Sequence, residues 1–410
     1  MPSEPALSRR LGTGDAVVVG LSSMIGAGVF AVFAPAAAAA GSALLLGLLV
    51  AGAVALCNAT SSAQLAAQYP SSGGTYVFGR ERLGAWPGFL AGWCFVVGKA
   101  ASCAAMALTV GAYAAPDGWQ RPVAAAVVLV LGAVNCAGVR PMAVVARVVV
   151  AVVLAVLLLA VALGLGGADG GADLGATDWT WYGVLQSAGL LFFAFAGYAR
   201  LATLGEEVRE PARTIPRAVL LALGLVLATY LLVAVMLLLT LGPERLAASP
   251  APVADAVGGT WLAPLVRGAA ALAALGALLT LQAGIGRTTL AMARTGDLPR
   301  WLGAVHPRAR VPHRAEAVLA VVVAAAVLLV DLREAIGFSS FGVLLYYAIT
   351  NAAALSQPRE WRRFPRALAV AGLLGCLVLV ATLPATAVAG GAVVVLAGIA
   401  YRGGRRVTRR

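Results

Sequence analysis

The 410-residue chain is 61% hydrophobic and only 11% charged, where a soluble domain is nearer half apolar and a quarter charged. Its net charge of +13 comes from arginines in short loops between apolar runs, so the basicity marks a polytopic membrane protein and not a nucleic-acid-binding surface. Cys57, Cys94, Cys103, Cys136 and Cys376 all fall in apolar runs, without metal-ligand spacing, and read as small apolar residues. His306 and His313 share one basic loop, and the short polar stretch from Met1 to Arg10 gives no expectation of a cleavable signal.

A transmembrane helix takes about 20 apolar residues. On that rule twelve spans are expected, at 14–37, 41–67, 85–114, 121–138, 142–166, 181–204, 215–242, 260–292, 315–331, 334–356, 366–382 and 384–401. Alternate loops carry Arg80 and Arg82, Arg140, Arg209 with Arg213 and Arg217, the set from Arg294 to Arg314, and Arg359 to Arg366. The C-terminal tail adds five more arginines from Arg402 onward. The opposite loops hold Asp117, Asp169, Asp173, Asp178, Glu244 and Asp255. The asymmetry places both termini in the cytoplasm and the protein in the plasma membrane. Tryptophans such as Trp119, Trp181 and Trp261 fall near span ends, as an interfacial belt does.

Two spans carry a weakness at their centre. The first contains Ser22-Ser23-Met24-Ile25-Gly26-Ala27-Gly28-Val29-Phe30, and the sixth contains Phe192-Phe193-Ala194-Phe195-Ala196-Gly197-Tyr198-Ala199-Arg200. Glycine costs a helix about 1 kcal/mol relative to alanine and frees the backbone to leave helical angles. Inside a membrane the freed peptide groups need a polar partner. Interrupted helices at matching positions of two halves point to a transporter site at the midplane. The plain alternative is glycine used only for close helix packing.

These stretches resemble the amino acid–polyamine–organocation (APC) superfamily of permeases. Ser23 to Phe30 is similar to its first-helix signature, and Pro70-Ser71-Ser72-Gly73-Gly74-Thr75-Tyr76 to the loop after its second helix. Phe192 to Tyr198, followed by Glu206-Glu207 and Pro211-Ala212-Arg213-Thr214-Ile215-Pro216, resembles its sixth helix and exit. Ala291-Met292-Ala293-Arg294-Thr295-Gly296-Asp297-Leu298-Pro299 resembles the end of its eighth. The resemblance implies an all-α polytopic membrane protein of the LeuT fold, in one domain. Its inverted repeats of five helices would cover 10–166 and 180–356, with two accessory helices at 366–401. It implies an amino acid substrate, no cofactor and no catalytic or metal site. The carboxylate would meet Ser22, Ser23, Ile25, Gly26, Ala27 and Gly28, as an anion suits a half-helix N-terminus. The ammonium group would meet Phe193, Ala194, Ala196, Gly197 and Tyr198, with Phe193 as a gate. The plain alternative for Phe193 is an ordinary core phenylalanine.

The family's usual coupling residues are absent. The place of its fifth-helix lysine falls on Val153, and Ala199 stands where an acid often follows the sixth-helix aromatic. Among thirty basic residues there is instead one lysine, Lys99, in the middle of the third span. A charge there costs roughly 3 kcal/mol or more, so it should face the bundle interior, and lysine, unlike arginine, gives up its proton. Lys99 is expected to exchange a proton during the cycle or to contact substrate, against the alternative that it snorkels to an interface. Arg200 is expected to pair with Glu206 or Glu207, or else to supply a fixed positive charge for coupling.

The function expected is secondary active transport of an amino acid, proton-linked or by exchange, with a neutral, apolar substrate favoured by the apolar surroundings of the breaks. A cationic amino acid or polyamine is the alternative substrate. A membrane-embedded enzyme or sensor ranks far behind, because the spans lack an acid–base or metal constellation and no signalling domain is present. The expected partners are the small-molecule substrate, a proton and the lipid bilayer, with oligomeric state left open.

Overall fold

Away from water, an apolar run of this length satisfies its own peptide groups by coiling into a helix. A computed structural model describes residues 12–69, 73–138, 143–167, 179–202 and 208–407. Arg140, Asp169, Asp173, Asp178, Glu206, Glu207 and the start of the Pro70 motif lie outside them. The first run divides into α1 (Thr13–Met24), α2 (Gly28–Ala31) and α3 (Phe33–Ala40). There follow α4 (Leu44–Gln68), α5 (Gly74–Leu83), α6 (Ala85–Ala114), α7 (Gln120–Cys136) and α8 (Ala143–Gly166). The sixth run comprises α9 (Trp181–Phe195), a 3₁₀ turn at Ala196–Tyr198, and α10 (Ala199–Ala202). Beyond it lie α11 (Pro211–Ala248), α12 (Pro252–Ala256), α13 (Ala263–Arg294), α14 (His313–Leu329), α15 (Leu332–Leu355), α16 (Arg366–Thr382) and α17 (Ala385–Val407).

Among the described residues each expected span overlaps helix. Among the described residues nine candidate spans are long and apolar enough to cross a membrane, while α7, α14 and α16, at 17 residues each, are shorter. Two helices appear where the sequence showed only loops: α5 between α4 and α6, and the short α12 after α11.

Local chemistry sets several boundaries. In α11, Gly242 has φ +71° and Pro243 follows it, a combination that ends one helical run and starts a new one. The tight link from α14 to α15 is made by a capping box. Asp331 Oδ1 accepts from the Glu334 amide at 2.8 Å, and Glu334 Oε2 accepts from the Asp331 amide at 3.1 Å. On α8, Val144, Val148 and Val152 recur every fourth residue and are all exposed, as a lipid-facing stripe requires.

The packing places α1 against α11 and α9 against α4, while α6 runs between α13 and α15 and α7 lies on α14. The seam between α6 and α15 is close because both present glycine. A methyl on Gly98 would sit 3.0 Å from Gly342 Cα, and one turn on the hydroxyls of Ser102 and Ser339 meet at 2.6 Å.

One buried carboxylate ties the ends of four helices together. Asp297, just past α13, accepts from Arg80 on α5 at 2.8 Å, from Tyr76 on α5 at 2.8 Å and from Arg402 on α17 at 2.6 Å. The Arg402 guanidinium also lies over the rings of Trp86 and Phe89 on α6, 5.1 and 4.7 Å from their centroids. Burial, more than the neighbouring carboxylate, pushes the Tyr76 phenol above its ordinary pKa, so it remains a donor. Breaking a buried ion pair from one side leaves an uncompensated charge. Asp297→Asn should therefore lower stability by about 3 kcal/mol, read as a fall in the melting temperature of the purified protein in detergent. An unchanged melting temperature would remove this carboxylate from the structural account.

Candidate functional site

The first helix breaks where the glycines stand. The Ile25 amide still reaches Leu21 O at 2.8 Å, the chain then bends through Ile25–Ala27, and helix resumes at Gly28 with Phe30 N donating to Ala27 O at 3.1 Å. Among the described residues the amides of Gly26 and Ala27 find no hydrogen-bond partner. Ile25, Gly26, Ala27 and Gly28 are all buried. The hydroxyls of Ser22 and Ser23 turn back onto their own helix, each donating to Val19 O at 2.8 Å. Of this segment, the free amides and not the serine side chains are available to a ligand.

The sixth helix behaves differently. It tightens into a 3₁₀ turn at Ala196–Tyr198 instead of opening, so the expectation of a second unwound segment is corrected to a local change of winding. Such turns within a longer helix are common at functional hinges. The reason for the compactness is steric. A side-chain carbon on Gly197 would collide with the Ser23 carbonyl, and one on Gly28 would come within 2.8 Å of Ala194. These glycines bring the two interrupted helices into backbone contact. Gly26 in turn faces Ala277 on α13, where an added methyl would be 2.7 Å away.

Three side chains from outside the pair supply donors to carbonyls along these segments. The Tyr230 hydroxyl of α11 lies 2.6 Å from Met24 O and 3.1 Å from Ala194 O, so one shared proton bridges both helices. Lys99 Nζ of α6 donates to Ala196 O at 3.3 Å, and the Tyr347 hydroxyl of α15 approaches the same oxygen at 3.4 Å. Lys99 is 7% exposed, so it points into the bundle and does not snorkel. Tyr347 stacks on Tyr198 at 4.9 Å and meets Phe192 edge-on at 5.8 Å. Phe193, Ala194 and Ala196 are buried beside them.

The segment is held at both ends. Tyr113, near the end of α6, donates to Phe30 O at 3.0 Å and accepts from Val253 N of α12 at 3.4 Å. At the opposite end Asp15 of α1 pairs with Arg147 of α8 at 2.8 Å, with both side chains well exposed. Arg200 is exposed, and its expected partners Glu206 and Glu207 lie outside the described residues. Val153 is buried in the place of the family's fifth-helix lysine. No group of three His, Cys, Asp or Glu side chains able to hold a metal occurs among the described residues.

Sequence reasoning named the two backbone segments and Lys99 but missed Tyr230, Tyr347 and Tyr113. The available signal was a phenol in the middle of an aliphatic run, since a buried tyrosine hydroxyl usually has a partner.

A sequence model of the amino acid permease family matches residues 11–401. The chain is 60% identical to an uncharacterized transporter of Mycobacterium tuberculosis, over 98% of this chain and 93% of that one. It is 24% identical to a branched-chain amino acid permease of Bacillus subtilis, over 90% and 85%. It is 29% identical to the human cationic amino acid transporter 4, over 86% and 60%.

The donor geometry gives a graded expectation. Tyr230→Phe leaves Met24 O and Ala194 O without their shared donor and should cost about 1–3 kcal/mol. Tyr347→Phe leaves Lys99 on Ala196 O and should cost less. Melting temperatures of the two purified variants decide the order, and equal values would show that the Tyr230 bridge has no special weight.

Proposed function

The chain belongs to the amino acid permease family, and from that premise we propose that it is a secondary active transporter carrying a neutral, apolar amino acid by alternating access, proton-linked or by exchange. The observation that carries this reading is the juxtaposition of free amides at Gly26 and Ala27 with the Ala196 carbonyl across the glycine contact. The amides suit a carboxylate and the carbonyl suits an ammonium group. A zwitterion would enter by parting the two helices, with Ser23 to Gly28 on its acidic end, Ala194 to Tyr198 on its basic end and Phe193 over it.

The neighbour pattern supports two inverted repeats of the LeuT type, at 10–166 and 180–356, with α16 and α17 as accessories. If the first helix exchanges with the sixth and α4 with α11, the contact of α1 with α11 becomes that of α9 with α4. The contacts of α6 with α13 and of α7 with α14 map onto themselves. Both termini are assigned to the cytoplasm of a plasma-membrane protein on the arginine asymmetry.

Lys99 has a specific part in this scheme. Its ammonium group occupies Ala196 O, the acceptor that the substrate's own ammonium needs. Loss of its proton, or its displacement, would free that acceptor, which links substrate binding to protonation. The polar side chains seen to touch the interrupted segments from other helices are Lys99 and three phenols, all donors. They favour a neutral side chain over a second positive charge. The similarity to a cationic amino acid transporter keeps a cationic amino acid as the second reading.

Purified protein in liposomes, offered a panel of labelled amino acids with and without a pH gradient, tests the assignment. Uptake of a neutral, apolar member is expected, and Lys99→Ala should abolish its dependence on pH. Preferential uptake of arginine would move the assignment to the second reading. Undiminished pH dependence in Lys99→Ala would deny Lys99 its part.

A further inference from the structure

Away from the interrupted helices, a carboxyl group is buried without an ion-pair partner among the described residues. Glu316 lies in the first turn of α14 and is 3% exposed. Its Oε1 rests on Gly286 of α13, where any added methyl would collide with it. Its Oε2 is buried and finds no hydrogen-bond partner among the described residues, and none of the ion pairs seen among them includes Glu316. One turn along α13, Gln282 is 1% exposed. Its Nε2 donates to Val128 O of α7 at 3.2 Å, which leaves its Oε1, a second buried acceptor, without a donor.

Among the described residues no cation forms an ion pair with it. From α13, Arg287 is exposed and acts on Glu316 only at a distance. From α7 comes Cys136, whose thiol donates to His313 O at 3.5 Å. From α6 comes Cys103, which lies within electrostatic reach of both Glu316 and Lys99. The 3₁₀ turn at Arg300–Gly303 contributes Arg300, which is exposed. On α14 itself, Arg314 donates to Trp301 O at 3.5 Å, and His313 has an unpartnered Nδ1. The positive end of α14 favours an anion at this position but is worth only about 1 kcal/mol. An ionised carboxylate removed from water needs a partner or a proton. Among the described residues no ion-pair partner touches it, and a proton would also provide the donor that this corner lacks.

We propose that Glu316 is a proton-binding site of the transport cycle, taking one proton from water on one face of the membrane and returning it on the other. The proposal rests on the transporter reading above and adds to it a residue remote from the amino acid site. Gly286 is the seat that leaves the carboxyl room to titrate.

The test has two arms, both on the full-length protein. Infrared difference spectra between acidic and alkaline buffer should show the C=O stretch of a protonated carboxyl group in the wild type. That band should be missing in Glu316→Gln and shifted in its pH midpoint in Gly286→Ala. In liposomes, uptake of labelled leucine should quicken under an inward proton gradient in the wild type and be indifferent to it in Glu316→Gln. Leucine counterflow should persist in Glu316→Gln, and Glu316→Asp should restore the gradient response. A carboxyl band unmoved by Glu316→Gln, or a gradient response that survives it, overturns the proposal. If the wild type takes up no amino acid of the panel, the transporter reading fails, and the infrared arm still decides whether Glu316 binds a proton. If Glu316→Gln does not fold, the midpoint in Gly286→Ala decides, and an unshifted midpoint counts against the proposal.

Discussion

A peptide group in the hydrocarbon region has to be satisfied by protein, because no water is there to do it. That constraint organises the centre of this molecule. Breaking the first helix at Gly26 releases amides on one side and carbonyls on the other, and the sixth helix adds carbonyls as it tightens. Tyr230, Lys99 and Tyr347, from three different helices, reach carbonyls along these segments. The amides of Gly26 and Ala27 have no such partner among the described residues. The asymmetry is informative. Donors have been brought in to meet acceptors, but no acceptor has been brought in to meet the donors, and an anion is what such a place favours.

The glycines in this region serve packing and function together. A residue larger than glycine at 197 or 28 would push the two helices apart, because backbone of one lies where the side chain would go. Close packing and a break are alternative readings of Gly-Ala-Gly in the sequence. In the structure the same residues do both, because a helix that must open for a ligand must also close on its neighbour without one. The 3₁₀ turn at Ala196–Tyr198 fits that account. It is a small departure from α-helix that keeps its carbonyls near donors while the partner helix bears the larger distortion.

Much of this was legible in the sequence. Span positions follow from the length of apolar runs, which is a count, and among the described residues each expected run overlaps helix. The weak points at Gly26 and Gly197 were legible because glycine recurs at matching positions of two halves, in the first span and the sixth. Lys99 was legible because a single charge in an apolar run has few places to go. What was not legible depends on partners distant in the chain. Tyr230 and Tyr347 look like ordinary aromatics until α11 and α15 are placed against the breaks. Asp297 is one acid in a polar loop until Arg80 and Arg402, 217 and 105 residues away, converge on it. Glu316 sits at the edge of an expected span, beside a basic loop where an acid draws no attention. The capping box of Asp331 and Glu334 is the exception, since its spacing is local.

The distribution of charge follows a rule that the fold makes intelligible. Where a charge is matched or wetted, the chain uses arginine: Arg80 and Arg402 on Asp297, Arg147 on Asp15, Arg267 near Asp255. Arginine holds its proton under all ordinary conditions and suits a permanent pairing. The one lysine is spent in the middle of the bundle, on a backbone carbonyl, with no carboxylate in contact. On α14, which packs against the same α6, stands Glu316, an acid that makes no ion pair among the described residues. An unmatched pair of opposite sign, each able to lose its charge, is a poor stabiliser, since buried charges repay their desolvation only in close contact. It is well suited to states that differ by a proton, because each group can become neutral without breaking an ion pair that holds the helices together.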